Sequence, residues 1–189
     1  MPEVKAADRY EECEKIAQAV LSLGASAAAV VKVSEISFEP EFRKLCESNA
    51  CGNYGKSYMC PPDIGPVEKL IEEAGGYEYA IVYQTVSLLE DSYDFEGMLR
   101  AGARHNELAQ QVKGLPRLER IVPVLHLGAG GCRLCTVCGK KTGIPCRHPQ
   151  WAMSSLEAYG INVSALAQLC GMKYINGPDT VTYFGAVLV

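Results

Sequence analysis

Seven of the nine cysteines in this 189-residue chain lie in two groups whose spacing is typical of metal sites. In the second group, Cys132, Cys135 and Cys138 follow one another at steps of three residues, Cys146 comes next, and a glycine-rich run at 128–131 precedes them. A thiolate is a soft donor that selects zinc, copper(I) or iron–sulfur clusters over magnesium and calcium. The second group therefore predicts a metal centre built from cysteine sulfur.

The overlapping steps of the second group favour an iron–sulfur cluster over zinc. Zinc sites usually take two separated C-x2-C pairs, whereas bacterial ferredoxins begin with C-x2-C-x2-C. Each of those three thiols can reach a different iron of one 4Fe-4S cube, and Gly130 and Gly131 let backbone amides donate to the sulfurs. The fourth thiol departs from the ferredoxin pattern, because Cys146 lies eight residues after Cys138. Either Cys146 or Cys60 is expected to complete the cube, and zinc is the alternative metal.

The first group consists of Cys46, Cys51 and Cys60, and two prolines follow it at once. No fourth thiol is evident in that segment, so three arrangements stay open. A second cube has an exchangeable fourth position, or its fourth ligand comes from Cys146 or His148, or the seven thiols do not all bind at once. The sequence therefore predicts one 4Fe-4S cluster and allows a second.

Residues other than cysteine are predicted to shape the cofactor site. Tyr54 and Tyr58 are expected to shield a cluster from water and so tune its potential, or alternatively to hold the loop against the core. Cations near the second group either offset the negative charge of a cluster or form a docking face for an acidic redox partner or an anionic substrate. These cations are Arg133, Lys140, Lys141, Arg147 and His148.

The composition is that of a globular protein without a basic field. Hydrophobic residues make up 48% and charged residues 21% of the chain, and the net charge is -4 with a pI near 5.5. We therefore expect no nucleic-acid or membrane partner. Residues 1–15 lack the pattern of a signal peptide, and no apolar run reaches the length of a membrane span. The sequence predicts a cytoplasmic protein, in which disulfides are rare and thiols stay free or bind metal.

The periodicity predicts a single α/β or α+β domain over residues 1–189, with a small central sheet of about four strands flanked by helices. Two cysteine-rich metal-binding loops are expected to pack at one end of that sheet. Helical segments are predicted at 7–23, 40–46, 67–74, 94–113, from near 149 to 159, and 163–171. Strands are predicted at 27–33, 79–88, 120–127 and 180–189.

The cysteine segments resemble an uncharacterised family that is described as predicted metal-binding proteins. The resemblance covers most of the chain and implies metal binding, as an iron–sulfur cluster in anaerobic microbes. It implies no particular reaction. The segments that carry it are residues 51–55 with 58–62, 132–135 with Cys138, 145–149 leading into 155–161, and 183–185.

The remaining cysteines are predicted to be structural, and two histidines are not predicted to be ligands. Cys13 and Cys170 lie on apolar helix faces and are expected to be buried thiols. His105 is expected to be solvated on a polar helix. His126 is either a core histidine or a hydrogen-bond donor near the metal. The chain contains no P-loop, no dinucleotide-binding glycine motif, no serine elbow and no H-E-x-x-H.

Three functions agree with this pattern. The first is a small iron–sulfur protein that transfers electrons to a redox partner or senses redox state. The second is an enzyme that uses an incompletely ligated cluster as a Lewis acid. The third is a module that zinc holds together, or a metal carrier. The overlapping thiol spacing favours the first of these over the third, and nothing in the sequence separates the first from the second.

Overall fold

The protein is an α+β domain, and the computed structural model describes residues 6–189, with side chains from residue 9 onward. Residues 1–5, which the predicted domain includes, lie outside this range. The α-helices are α1 (Ala6–Ser22), α2 (Phe42–Glu47), α3 (Val67–Gly75), α4 (Phe95–Lys113) and α5 (Val163–Leu169). The strands are β1 (Ala27–Lys32), β2 (Tyr79–Leu88), β3 (Leu125–Gly128), β4 (Ser154–Ser155) and β5 (Thr180–Leu188).

The sheet has five strands in the order β1-β2-β5-β3-β4. All neighbours are antiparallel except β3 and β4, which run parallel. The long central pair, β2 and β5, is rich in Val, Ile, Tyr and Thr, the side chains that pack well on a pleated surface. Because β4 has only two residues, it leaves no period-2 pattern in the sequence, and the prediction of about four strands missed it.

Both faces of the sheet are covered, which is why β2 and β5 are nearly continuous apolar runs. On one face, Ile81 and Tyr83 pack with side chains of α1 and α4. On the other face, Ala80 and Val82 pack with side chains of α3 and α5. Among residues 6–189, no helix has both the length and the apolar character that crossing a bilayer requires.

Two predictions that border the cysteine loops differ from the structure, one in extent and one in type. The strand predicted at 120–127 is present but shorter, as Leu125–Gly128, because Pro123 has no N–H with which to extend the ladder. The helix predicted from near 149 to 159 is replaced by β4 and a 3-10 turn at Glu157–Tyr159. There Ser154 pairs with β3, and tertiary pairing overrides the local helical pattern.

His105 is wholly buried, so the prediction of a solvated histidine is wrong. Its Nδ1 lies 2.9 Å from the Thr85 hydroxyl oxygen, and its ring centroid lies 5.7 Å from that of Tyr83. His105 precedes the buried residues Leu108 and Val112 at helical spacing on α4, so it shares their inward face. His126 is also a core residue, with its Nε2 2.8 Å from the Tyr83 hydroxyl.

We expect the buried histidines to make the protein less stable in mild acid. Burial lowers the pKa of His105 to about 4 and that of His126 to about 3, whereas both titrate near 6.5 when unfolded. Protonation therefore favours the unfolded chain. The free energy of unfolding is highest above pH 6.5 and decreases as the pH falls toward the folded pKa of each histidine. For His105 alone the loss between pH 7 and pH 5 is about 2 kcal/mol.

Urea unfolding at the two pH values measures this effect. A His105→Leu variant should show a smaller fall in the free energy of unfolding than the wild type. An identical fall in the wild type and in His105→Leu would contradict the assignment.

Candidate metal centre

The two cysteine-rich loops meet beside the β3–β4 edge of the sheet. β3 ends at Gly128 and β4 begins at Ser154, so these parallel neighbours enclose the second thiol group within residues 129–153. The first loop reaches the same place, because the Ser154 hydroxyl donates to the Met59 carbonyl over 2.9 Å. Two loops that are distant in sequence are thereby joined.

The four thiols of the second group line one cavity. Cys132, Cys135, Cys138 and Cys146 contribute to its wall, and the first loop closes it with Met59 and its neighbours. The space that a water-sized sphere can enter is ≈ 20 Å³, inside ≈ 350 Å³ not filled by protein atoms. The four cysteines therefore face a shared and narrow space, where a soft metal finds soft donors.

Polar groups of both loops lie near the sulfur of Cys138. Partial burial raises the pKa of this thiol, but the nearby amides of Lys140 and Tyr58 and the hydroxyl of Ser57 outweigh that effect and hold the pKa below its usual value. The Arg147 charge acts in the same direction. Because only the thiolate binds a metal, Cys138 is well prepared to act as a ligand.

Most backbone amides of the second loop have no backbone carbonyl as a partner in the described chain. From residue 129 to residue 140, no N–H donates to a backbone carbonyl of the described chain, and the next donor is Lys141. Backbone amides are obligatory donors that need partners. The loop can therefore donate to sulfur or to water, which is what a bound sulfur-rich centre requires.

Cys60 links the first group to the second. Burial raises the pKa of the Cys60 thiol, and the Ser57 hydroxyl opposes that shift. The nearby thiols of Cys51, Cys46 and Cys132 raise the pKa further, since a second negative charge at short range is unfavourable. The three thiols of the first group are thus neighbours, and Cys132 of the second group lies close to them.

Gly131 permits this close approach of the two loops. A Cβ at Gly131 would lie 3.1 Å from the Asn53 side chain and 3.4 Å from the Cys60 sulfur. Gly130 serves the loop differently, because its φ of 67° is a left-handed conformation that favours glycine. Both glycines therefore have a structural role beside the thiols.

The thiols are neighbours, but they do not converge on one point. Across the part of the chain that the structure describes, no three Cys, His, Asp or Glu side chains form a group that could hold a metal ion. All nine cysteines are free thiols. Since zinc requires four ligands at about 2.3 Å, the side chains would have to turn inward to bind a single ion.

The structure places the two predicted tyrosines in different cavities. Tyr58 lies at the thiol cavity, where its hydroxyl donates to the Ile144 carbonyl over 2.9 Å and its ring lies 5.8 Å from Lys140 Nζ. Lys140 also forms an ion pair with Asp63. Tyr54 is half-buried and lines a separate shallow cavity, so the structure does not bring it to the second thiol group.

The predicted cations are spread around the second loop. Arg133 is exposed and reaches toward α4, where its Nη1 lies 3.8 Å from the position of a Cβ on Gly102. Arg147 is exposed and donates from Nη1 to the Val137 carbonyl over 3.0 Å. His148 is exposed at the rim of the thiol cavity. These side chains leave a positive surface around the thiols.

Two further residues near the thiols have no signal in the sequence. Ser57 is buried, and its hydroxyl lies near the sulfurs of Cys60 and Cys138. Lys113, the last residue of α4, donates to the Ala152 carbonyl over 3.3 Å and lies close enough to Cys132 to feel its charge. Ser57 lies three residues before Cys60 in the sequence, but only the fold brings it to Cys138 and brings Lys113 to Cys132.

The two remaining thiols are structural. Cys13 is fully buried on α1, and Cys170 is half-buried against the core at the end of α5. Burial raises the pKa of each thiol to about 11. Neither thiol therefore ionises at neutral pH, and a thiol that stays protonated is a poor ligand and a poor nucleophile.

One family model matches most of the chain. A family described as predicted metal-binding protein (DUF2284) matches residues 29–189, a range that contains both cysteine groups. No curated protein and no solved structure matches the chain. The family description supplies metal binding, and it names neither a metal nor a reaction.

Proposed function

The chain belongs to the family of predicted metal-binding proteins, and we propose that it carries one or two 4Fe-4S clusters and acts in electron transfer or redox sensing. The observation that carries the proposal is the shared cavity of Cys132, Cys135, Cys138 and Cys146. These four are the proposed ligands of one cluster. The proposed setting is the reducing cytoplasm, where free thiols persist.

The free amides of the second loop support a cluster more than a single ion. A cluster offers several sulfur acceptors around its surface, and N–H···S bonds tune its potential. A four-iron cube needs more room than the narrow cavity provides. Residues 129–140 donate no hydrogen bond to a backbone carbonyl of the described chain. The loop can therefore widen without breaking such a bond.

The first group is the proposed site of the second cluster. Cys46, Cys51 and Cys60 are near enough to influence one another's ionisation. Their fourth position is proposed to be exchangeable, or to be supplied by Cys146 or His148. Zinc on either group is the alternative, and it requires the thiols to close around one ion.

The proposed partner is an acidic redox protein. The chain as a whole carries a net charge of -4, yet residues 129–151 contain Arg133, Lys140, Lys141 and Arg147 and no acidic residue. Val137 and Ile144 expose 45% and 40% of their surface in the same loop. A surface that combines cations with exposed apolar side chains suits weak and transient electron-transfer complexes.

A Lewis-acid enzyme is the second candidate, and one observation favours it. A cavity with room for ≈ 300 Å³ adjoins the second group, and Cys132, Arg133 and Asn106 help to line it. Such a space beside a metal ligand can admit a small substrate. In this case a small anion should alter the electron paramagnetic resonance spectrum of the reduced protein, whereas a fully ligated cluster should not respond.

Anaerobic purification with metal and sulfide analysis tests the proposal. We expect about four or eight iron atoms per chain, an equal amount of acid-labile sulfide, and a broad visible band that bleaches reversibly on reduction. A colourless protein with stoichiometric zinc and neither iron nor sulfide would overturn both iron–sulfur functions. It would leave the zinc module as the function.

A further inference from the structure

Another cavity lies at the C-terminal end of α4, separate from the cavity that the four thiols line. Its walls include Lys113, Leu118, Val124, His126 and Trp151, and a water-sized sphere can enter ≈ 310 Å³ of it. It shares no lining residue with the cavity of the second thiol group. We call it the Trp151 cavity. Its volume is within the range of small-molecule sites.

Lys113 brings an uncompensated cation to this cavity. Its ammonium group is half-buried and donates to the Ala152 carbonyl over 3.3 Å. Within residues 9–189 no carboxylate forms an ion pair with it, although Glu119 also lines the cavity. A partly desolvated cation without a counter-ion is unfavourable, so an anion that enters the cavity gains a charge-assisted hydrogen bond.

The ring of His126 forms part of the cavity wall. The residue exposes only 5% of its surface, and its Nε2 lies 2.8 Å from the Tyr83 hydroxyl. Its Nδ1 is buried without a partner among the described residues. Because Nδ1 exposes no surface to a water-sized molecule, a ligand in the cavity contacts the wall that the ring helps to form and does not accept from Nδ1.

The remaining walls are apolar and partly exposed. Leu118 and Val124 form the inner side, while Val122 and Trp151 expose 57% and 43% of their surface. Exposed apolar side chains beside a cation suit one kind of ligand, which has an anionic oxygen at one end and an apolar body at the other.

We propose that the Trp151 cavity binds a small carboxylate with an aromatic or branched apolar body. Its carboxylate accepts from Lys113, and its body packs on Trp151, Leu118 and Val124. The bound anion then lies beside a lysine that is near Cys132 of the second thiol group. Binding itself does not depend on which metal, if any, the thiols hold.

Benzoate is a suitable probe, and Trp151 reports on it because it is the only tryptophan of the chain. Titration of the purified full-length protein with benzoate should change the Trp151 emission saturably. Benzamide, which has the same shape and no charge, should bind at least about tenfold more weakly, a difference of about 1.4 kcal/mol. Calorimetry on the same samples should return the same Kd values.

Variants at Lys113 decide whether the cation is responsible. Lys113→Met should weaken benzoate binding by about tenfold or more, whereas Lys113→Arg keeps the charge and should bind within a few-fold of the wild type. Lys69→Met, on the exposed face of α3, is the matched control and should bind like the wild type. The proposal is overturned if benzoate does not saturate, if benzamide binds equally well, or if Lys113→Met binds like the wild type.

Discussion

A Cys135→Ser variant is expected to lose the metal and sulfide of one centre and to unfold at a lower temperature. Serine removes the soft donor at the middle of the second group, and a metal site assembles together with the fold around it. Cys135 lines the cavity that it shares with the other three thiols of the group. We expect the thermal midpoint to fall by at least about 5 °C, which corresponds to about 2 kcal/mol in a chain of this length.

Cys170→Ser is the matched control for this experiment. Cys170 is a half-buried thiol outside both groups, so the same substitution there should keep the full iron and sulfide content. Metal analysis gives the primary result, and circular dichroism separates loss of one centre from loss of the fold. If Cys135→Ser retains all of its metal, Cys135 is not a ligand and the second group has been wrongly assigned.

A Gly139→Ala variant is expected to damage the same centre without removing a ligand. A Cβ at this position would lie 2.6 Å from the Ile144 carbonyl oxygen and 2.7 Å from that of Pro145. Both obstacles are backbone atoms, so the segment between Cys138 and Cys146 must open and the two cysteines must separate. We expect the metal to leave roughly 10–100 times faster, the range for losing support around metal ligands.

The rate of iron transfer to a chelator, followed by absorbance, measures this effect. Gly128→Ala is the control, because a Cβ there meets no atom within 4 Å and Gly128 has no left-handed φ. It should release iron at the wild-type rate. Equal rates for both variants would show that the tight turn at Gly139 does not position the thiols.

The fold was predicted well where one period persisted over many residues. The strand expected at 79–88 is β2, Tyr79–Leu88, and the helix expected at 94–113 is α4 with Asp94 as its N-cap. Both are long, and their patterns are set locally. The two-residue β4 escaped prediction, because its conformation follows from pairing with β3 and no local pattern marks so short a strand.

His105 shows the limit of composition as a guide to burial. The sequence around it is polar, which suggested a solvated side chain, but its position on the helix places it on the same face as Leu108 and Val112. Helical geometry, not the average polarity of the segment, decides which side chain faces the core. The hydroxyl of Thr85 then provides the partner that makes its burial tolerable.

The sequence by itself determined the chemistry that is available: seven thiols at spacings typical of metal sites, next to glycines and cations. Donor type is a property of single residues, and ligand spacing is a property of short segments. Both can therefore be read from the sequence. Only the tertiary structure decided that Cys132 lies near Cys60, and that Ser57 and Tyr58 of the first loop lie near the sulfur of Cys138. Those contacts join distant segments, and they exist because the first loop packs against the segment that leaves β3 and returns at β4.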